Sequence, residues 1–257
     1  MNFMNKKDIF VFDVDGVIVD STDECLVVAW NAYIKYSHSE KKIISTTSEA
    51  NKEYAEHFRS IRNYVRSMDE YLLVFKTTKN EVTSQKKYEE ILSGLNEEER
   101  DRYGEYFFNE RKVLKQLQKE NWLALHHVYD GIVELFKNIH KQYNVYIVTG
   151  KDKESVMDFL VYFRIDFDSK KIYDKKIARN KLIALKEISK KENIPTNKIA
   201  FLDDNVTHLI KPMNANFDVM LAEWGYGQDE HFILAKEHSL PIVSIKDIYK
   251  RFLNEVN

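Results

Sequence analysis

The stretch that most limits what this chain can fold into stands near its start: Asp8-Ile9-Phe10-Val11-Phe12-Asp13-Val14-Asp15-Gly16-Val17. A short, continuous apolar run rich in β-branched and aromatic residues reads as a strand buried on both faces, as in a parallel sheet. Side chains alternate along a strand, so Asp13 and Asp15 point to the same side, and Gly16 lets the backbone turn away. Two carboxylates crowded at the tip of a buried strand repel each other and lose solvation. Such a pair persists when a cation or a chemical task compensates it.

Beyond this strand the pattern changes twice. From about Thr22 to Leu125 the chain is polar, charged and helical in period. Tyr54, Phe58, Ile61, Val65 and Met68 keep one face apolar, and Tyr103, Phe107, Val113 and Leu117 do so with looser spacing. From Val128 onward helices predicted at 132–140, 153–163 and 181–192 alternate with strands predicted at 145–149, 199–203 and 218–222, and a helix at 245–256 closes the chain. Alternation of this kind means a parallel sheet wrapped by helices on both faces. The economical organisation is an α/β core of residues 1–20 and 126–257, interrupted after its first strand by an inserted α-helical lobe of residues 21–125. Open α/β sheets bind ligands beyond the carboxyl ends of their strands. Asp13, Thr149 and the pair Asp203-Asp204 all end strands and would meet at that edge.

Composition narrows the function classes. A formal net charge of -2 gives no electrostatic case for nucleic acid or an anionic membrane as partner. Cys25 is the single cysteine, so no internal disulfide can form and a reducing compartment is favoured. The segment before Asp8 is too short and polar for a signal peptide, and no apolar stretch reaches membrane-spanning length. A cytoplasmic location is expected.

The motifs Asp13-Val14-Asp15-Gly16-Val17, Val148-Thr149-Gly150, Lys181 and Leu202-Asp203-Asp204-Asn205 resemble, in order, the four motifs of the haloacid dehalogenase-like (HAD) hydrolase superfamily. The inserted helices resemble its C1-type cap, as in phosphoglycolate phosphatase and β-phosphoglucomutase relatives, in position and helical character. The resemblance implies a Rossmann-like parallel sheet core with helices on both faces, an inserted α-helical cap, and Mg²⁺ as cofactor. It implies Asp13, the backbone carbonyl of Asp15, and Asp204 as metal ligands, with Asp203 as an outer carboxylate. Dehalogenase members lack an acid at the position of Asp15, so this residue resembles the phosphatase and phosphomutase branch. One departure is His208, which stands where many relatives carry an acidic residue.

Phosphoryl transfer needs an in-line nucleophile, neutralised phosphoryl oxygens and a proton donor for the leaving group. Asp13 is the candidate nucleophile, forming an aspartyl-phosphate. Asp15 would protonate the leaving oxygen and later activate water. Thr149 and Gly150 would bind the phosphoryl group, and Lys181 would place a positive charge beside it. Mg²⁺ takes hard oxygen ligands and keeps several waters, so a few carboxylates suffice to hold it. Lys151, directly after Gly150, adds a cation with no assigned partner. The expected activity is hydrolysis of a small phosphorylated metabolite, with no obligate protein partner. A phosphomutase using the same residues and a non-catalytic binding protein on the same scaffold are the alternatives. Arg59, Arg62 and Arg66 recur at helical spacing and read as solvated surface or as a greeting for an anionic substrate. His126 and His127 read as hinge or surface residues, Trp30, Tyr33 and Tyr36 as helix packing, and Trp224-Gly225-Tyr226-Gly227 as a loop shaping the cleft.

Overall fold

The computed structural model describes residues 8–178 and 180–253. Six strands make one parallel sheet: β1 Ile9–Phe12, β2 Asn144–Val148, β3 Ile172–Tyr173, β4 Ile199–Asp203, β5 Asp218–Ala222 and β6 Ile242–Val243, in the order β3-β2-β1-β4-β5-β6. Every residue of β1 is buried, as its unbroken apolar run requires of a central strand. Register positions the strand ends. Phe12 pairs with Ile147 on one side and with Leu202 on the other. Asp13 therefore leaves β1 level with Asp203, with Thr149 one step past the end of β2.

The described residues fall into two compact units, one of residues 21–127 and the other of everything before and after that segment. The first is helical: α1 Thr22–Tyr36, α2 Lys52–Ile61, α3 Gln85–Gly94, α4 Glu97–Leu117 and α5 Lys119–Ala124. Its interior is aromatic, with Tyr33 stacked on Phe75 at 3.9 Å and Tyr71 stacked between Phe58 and Phe107 at 4.9 and 5.5 Å. Trp30 packs against Tyr54, as helix packing predicts. The apolar face expected to run from Tyr54 to Met68 on one helix is broken at Ile61. The chain tightens into 3-10 turns at Arg62–Tyr64 and Met68–Phe75. The three arginines accordingly do not form one stripe: Arg59 pairs with Asp23, Arg66 with Glu89, and Arg62 is buried over the Tyr71 ring. Charged and polar groups are also buried in this unit, among them His126, which was expected at a hinge or the surface. Glu24 on α1 is fully buried and grips Arg111 of α4 through two hydrogen bonds of 2.6 and 2.8 Å, with the Trp122 indole donating to the same carboxylate. His126 is buried beside this group, its Nδ1 2.8 Å from the Trp122 carbonyl, while His127 stays exposed.

In the other unit, α6 Ile132–Gln142, α7 Lys153–Tyr162, α8 Lys181–Glu192, α9 Val206–Asn214 and α10 Asp229–Glu237 wrap the sheet. Ala184, Leu185 and Ile188 of α8, Leu209 of α9 and Ala235 of α10 pack on the face presented by Val11, Tyr146 and Phe201. On the opposite face Phe12 meets Phe136 of α6 at 4.9 Å and Phe10 meets Phe252 at 5.0 Å. This is a Rossmann-like α/β fold. The closing helix starts at Ile245 and passes into a wider π turn over Tyr249–Leu253, and its expected last residues lie outside the described ones. Among the described residues no helix is long and apolar enough to cross a membrane.

Candidate active site

Asp13 continues the β1 ladder by one bond, its amide donating to the Leu202 carbonyl at 2.9 Å. The residue is 6% exposed; Oδ1 accepts from the Val14 amide at 2.7 Å and Oδ2 lies 2.8 Å from Nζ of Lys181. Lys181 is the first residue of α8, where the Asn180 side chain caps the helix by accepting from the Ile183 amide. From there its side chain reaches back over the sheet edge, and Nζ also donates to the Val148 carbonyl at 2.8 Å and sits 3.4 Å from Asp203. One buried ammonium thus serves two buried carboxylates and a strand-end carbonyl.

Those two carboxylates divide. Burial drives the Asp13 carboxyl up to about 6, against the pull of Lys181 and with a further push from Asp203. Burial would raise Asp203 too, but the facing His208 and Lys181 outweigh it and hold its carboxyl well below the usual range. Asp203 also accepts from the Asn205 amide at 2.8 Å, and Nδ1 of His208 lies 3.2 Å from both its oxygens. Burial works against the Lys181 charge, and the two aspartates overcome it, leaving its pKa raised.

Asp15 is on the same edge, and its Oδ1 is 3.0 Å from Nζ of Lys151. Thr149 is fully buried; its amide donates to the Tyr173 carbonyl and its Oγ1 accepts from the Lys151 amide at 3.2 Å. Gly150 is exposed, with nothing within 4 Å of where a Cβ would stand.

Asp204 is held by a different device. Gly16 takes a left-handed φ of +83°, and a Cβ on it would fall 2.2 Å from Asp204 Oδ2. From the other side, a Cβ on Gly225 would fall 2.3 Å from Asp204 Cβ and 2.5 Å from the Gly16 carbonyl oxygen. The carboxylate is wedged between two bare backbones, and the Tyr226 amide donates to its Oδ2 at 2.9 Å. The same loop is tied to the segment after β1: the Trp224 indole donates to the Val17 carbonyl and the Tyr226 hydroxyl to Asp20.

The structure therefore gathers Asp13, Lys181 and Asp203 into direct contact and sets Asp15, Thr149 and Asp204 on the same edge, each with its own partner. Sequence reasoning left three contributors without a role. Lys151 carried only the signal of a cation next to a strand-end motif. His208 was noted as a departure and is engaged with Asp203. The Tyr226 amide has no side-chain signature, and only the glycine before it hinted at a close approach. A carboxylate oxygen each of Asp13 and Asp203 and a ring nitrogen of His208 all lie within 4.8 Å of one another, a grouping able to take a cation. The two carboxylate oxygens are hard donors of the kind Mg²⁺ takes, whereas the His208 nitrogen is not.

Residues 7–210 match the family model for haloacid dehalogenase-like hydrolases. No curated protein matches the chain. Solved structures do. A haloacid dehalogenase-like family hydrolase from Streptococcus pneumoniae superposes with a TM-score of 0.63 at 13% identity, over 96% of this chain and 99% of that one. A predicted phosphatase from Clostridium acetobutylicum gives 0.62 at 15%, over 97% and 99%. A predicted phosphoglycolate phosphatase from Haemophilus somnus gives 0.63 at 14%, over 98% and 100%. At these identities the likeness is one of fold.

Proposed function

Since the chain belongs to the haloacid dehalogenase-like hydrolase family, we propose that it is a Mg²⁺-dependent phosphatase that hydrolyses a small phosphorylated metabolite through an aspartyl-phosphate. The observation that carries this reading is the contact of Asp13 with Lys181 at the end of the central strand, with Asp15 on the same edge. A nucleophile, a phosphate-neutralising cation and a proton carrier are what phosphoryl transfer asks of a protein.

On this reading an Asp13 oxygen attacks phosphorus and the bond to the leaving oxygen breaks as that oxygen takes a proton from Asp15. Asp15, now a carboxylate, takes a proton from a water whose oxygen attacks the same phosphorus. The bond to Asp13 breaks, inorganic phosphate leaves, and both aspartates return to their starting states. Lys181 and the Thr149 hydroxyl hold phosphoryl oxygens, and the open space at Gly150 admits the group. Asp13, the carbonyl of Asp15 and Asp204 would hold Mg²⁺, with Asp203 behind them, and the ion would neutralise charge on the phosphoryl oxygens. The helical unit of residues 21–127 would be the cap that selects among esters.

The test is phosphate release from a panel of small phosphate esters, with and without Mg²⁺, by the wild type and Asp13→Asn. Metal-dependent release that disappears in a folded Asp13→Asn protein is the expected result. Unchanged release by that variant refutes the mechanism. An isomerised product with little free phosphate replaces hydrolysis with mutase chemistry.

A further inference from the structure

Lys151 is a lysine with no exposed surface, a rare state for the side chain most easily left in water. It follows Thr149-Gly150 directly, and its backbone is pinned at both ends: the amide donates to Thr149 Oγ1 and the carbonyl accepts from the Lys175 amide at 3.4 Å. The stem runs inward, and Nζ lies 5.5 Å from the centre of the Phe159 ring. It ends 3.0 Å from Oδ1 of Asp15, whose side chain is 15% exposed. Lys181, the other buried lysine of this edge, faces Asp13 and Asp203 instead. The two cations have separate carboxylates.

We propose that Lys151 is a positioning residue for Asp15, fixing the carboxyl by one oxygen so that its proton-carrying oxygen keeps a single orientation through both halves of the reaction; this rests on the phosphatase reading above. A carboxyl on a strand-end turn can rotate about two bonds, and a group that must serve a leaving oxygen and then a water loses rate with every alternative rotamer. A charged donor anchored in a wall of the core removes that freedom at one oxygen. Because Lys151 acts through Asp15, its removal should change turnover and leave substrate affinity in place.

The experiment uses the best ester of the panel and a double-mutant cycle of Lys151→Met with Asp15→Asn. Methionine keeps the length and apolar stem and deletes the charge. Expected for Lys151→Met are a fall in kcat of at least about tenfold with KM within about threefold of wild type. In the Asp15→Asn background the same change should cost nothing further, since the group it positions has lost its role. A kcat equal to wild type, a rise in KM alone, or full additivity in the cycle would each overturn the proposal, the second making Lys151 a substrate-binding cation. Lys151→Gln, which keeps a donor of shorter reach, is measured alongside and should lie between wild type and Lys151→Met; it carries the test if Lys151→Met does not fold. A wild type without Asp13-dependent release overturns the phosphatase reading and this inference together. An active wild type with an unaffected Lys151→Met overturns this inference alone.

Discussion

Gly225→Ala is the sharpest probe of how the carboxylate edge is built. The added Cβ would stand 2.3 Å from Asp204 Cβ, 2.5 Å from the Gly16 carbonyl oxygen and 2.9 Å from Asp204 Cγ, where ordinary contact begins at 3.4 Å. Two of the three obstacles belong to Asp204 and the third is backbone, so relief means moving Asp204, the β1 turn or the loop itself by roughly 1 Å, a displacement that can cost about a hundredfold in rate at a reacting centre. Overpacking of this kind costs about 1–3 kcal/mol, which for a domain of this size corresponds to a drop of roughly 2–12 °C in Tm. Gly150→Ala is the matched control on the same edge, because nothing lies within 4 Å of its Cβ and its melting should stay at or slightly above the wild-type value. The assay pairs thermal melting followed by circular dichroism with kcat on the best ester. If Gly225→Ala melts with the wild type and turns over at the wild-type rate, Asp204 is not wedged as described. If it melts low but keeps kcat, the position of Asp204 does not limit the chemistry.

Asp13 makes a pH prediction whose sign follows from its raised pKa of about 6. A group raised above its unfolded value stabilises fully below that value and loses the contribution as pH climbs through the folded pKa. In metal-free buffer the wild type should therefore lose stability between about pH 4 and 6 relative to Asp13→Asn, by on the order of 3 kcal/mol, read by denaturant titration across that range. Asp203 has the opposite sign. Its depressed carboxyl stabilises above the unfolded pKa and is lost at lower pH, so Asp203→Asn should erase part of the acid sensitivity of the fold. In the helical unit, Glu24→Ala strands the buried Arg111 guanidinium and should cost about 3–5 kcal/mol by chemical denaturation, whereas a loss below about 1 kcal/mol would mean the charge finds water.

What could be read from the sequence followed how much of each element's environment is written in its own residues. β1, β4 and β5 are buried on both sides and carry the unbroken apolar runs that say so. The edge strands Ile172–Tyr173 and Ile242–Val243 are two residues long, too short to show any period. Helix α9 escaped because Pro212 interrupts its pattern, having no amide to donate to the carbonyl four residues back. In the helical unit an apolar spacing of three and four is shared by α-helix and by 3-10 turns packed in series, so the break at Ile61 left no mark. At the edge, Asp13, Asp15, Thr149 and the Asp203-Asp204 pair were legible because each falls at or just beyond a strand end. The contacts made by long side chains were not, because Lys151 and Lys181 look alike in sequence and only their reach distinguishes which aspartate each one faces.

That separation of cations explains how so much acid is tolerated in so little water. A lone ammonium between Asp13 and Asp203 cannot neutralise both, and the outcome is asymmetric: Asp203 keeps its charge because His208 and the Asn205 amide add to Lys181, while Asp13, with the Val14 amide and Lys181, is left the weaker acid. Of the two, the carboxylate that a cation or a phosphoryl group would relieve most is therefore Asp13. A residue held this way is poorly suited to a purely structural role, since an asparagine there would keep the bond from the Val14 amide, give up the one from Lys181 and shed the desolvation of the charge. Stability and chemistry thus pull in opposite directions at one position, and Asp13→Asn measures both. If it gains stability at neutral pH and loses all turnover, the carboxylate is retained for chemistry; if it gains nothing, Lys181 already compensates the charge and the asymmetry argued here is wrong.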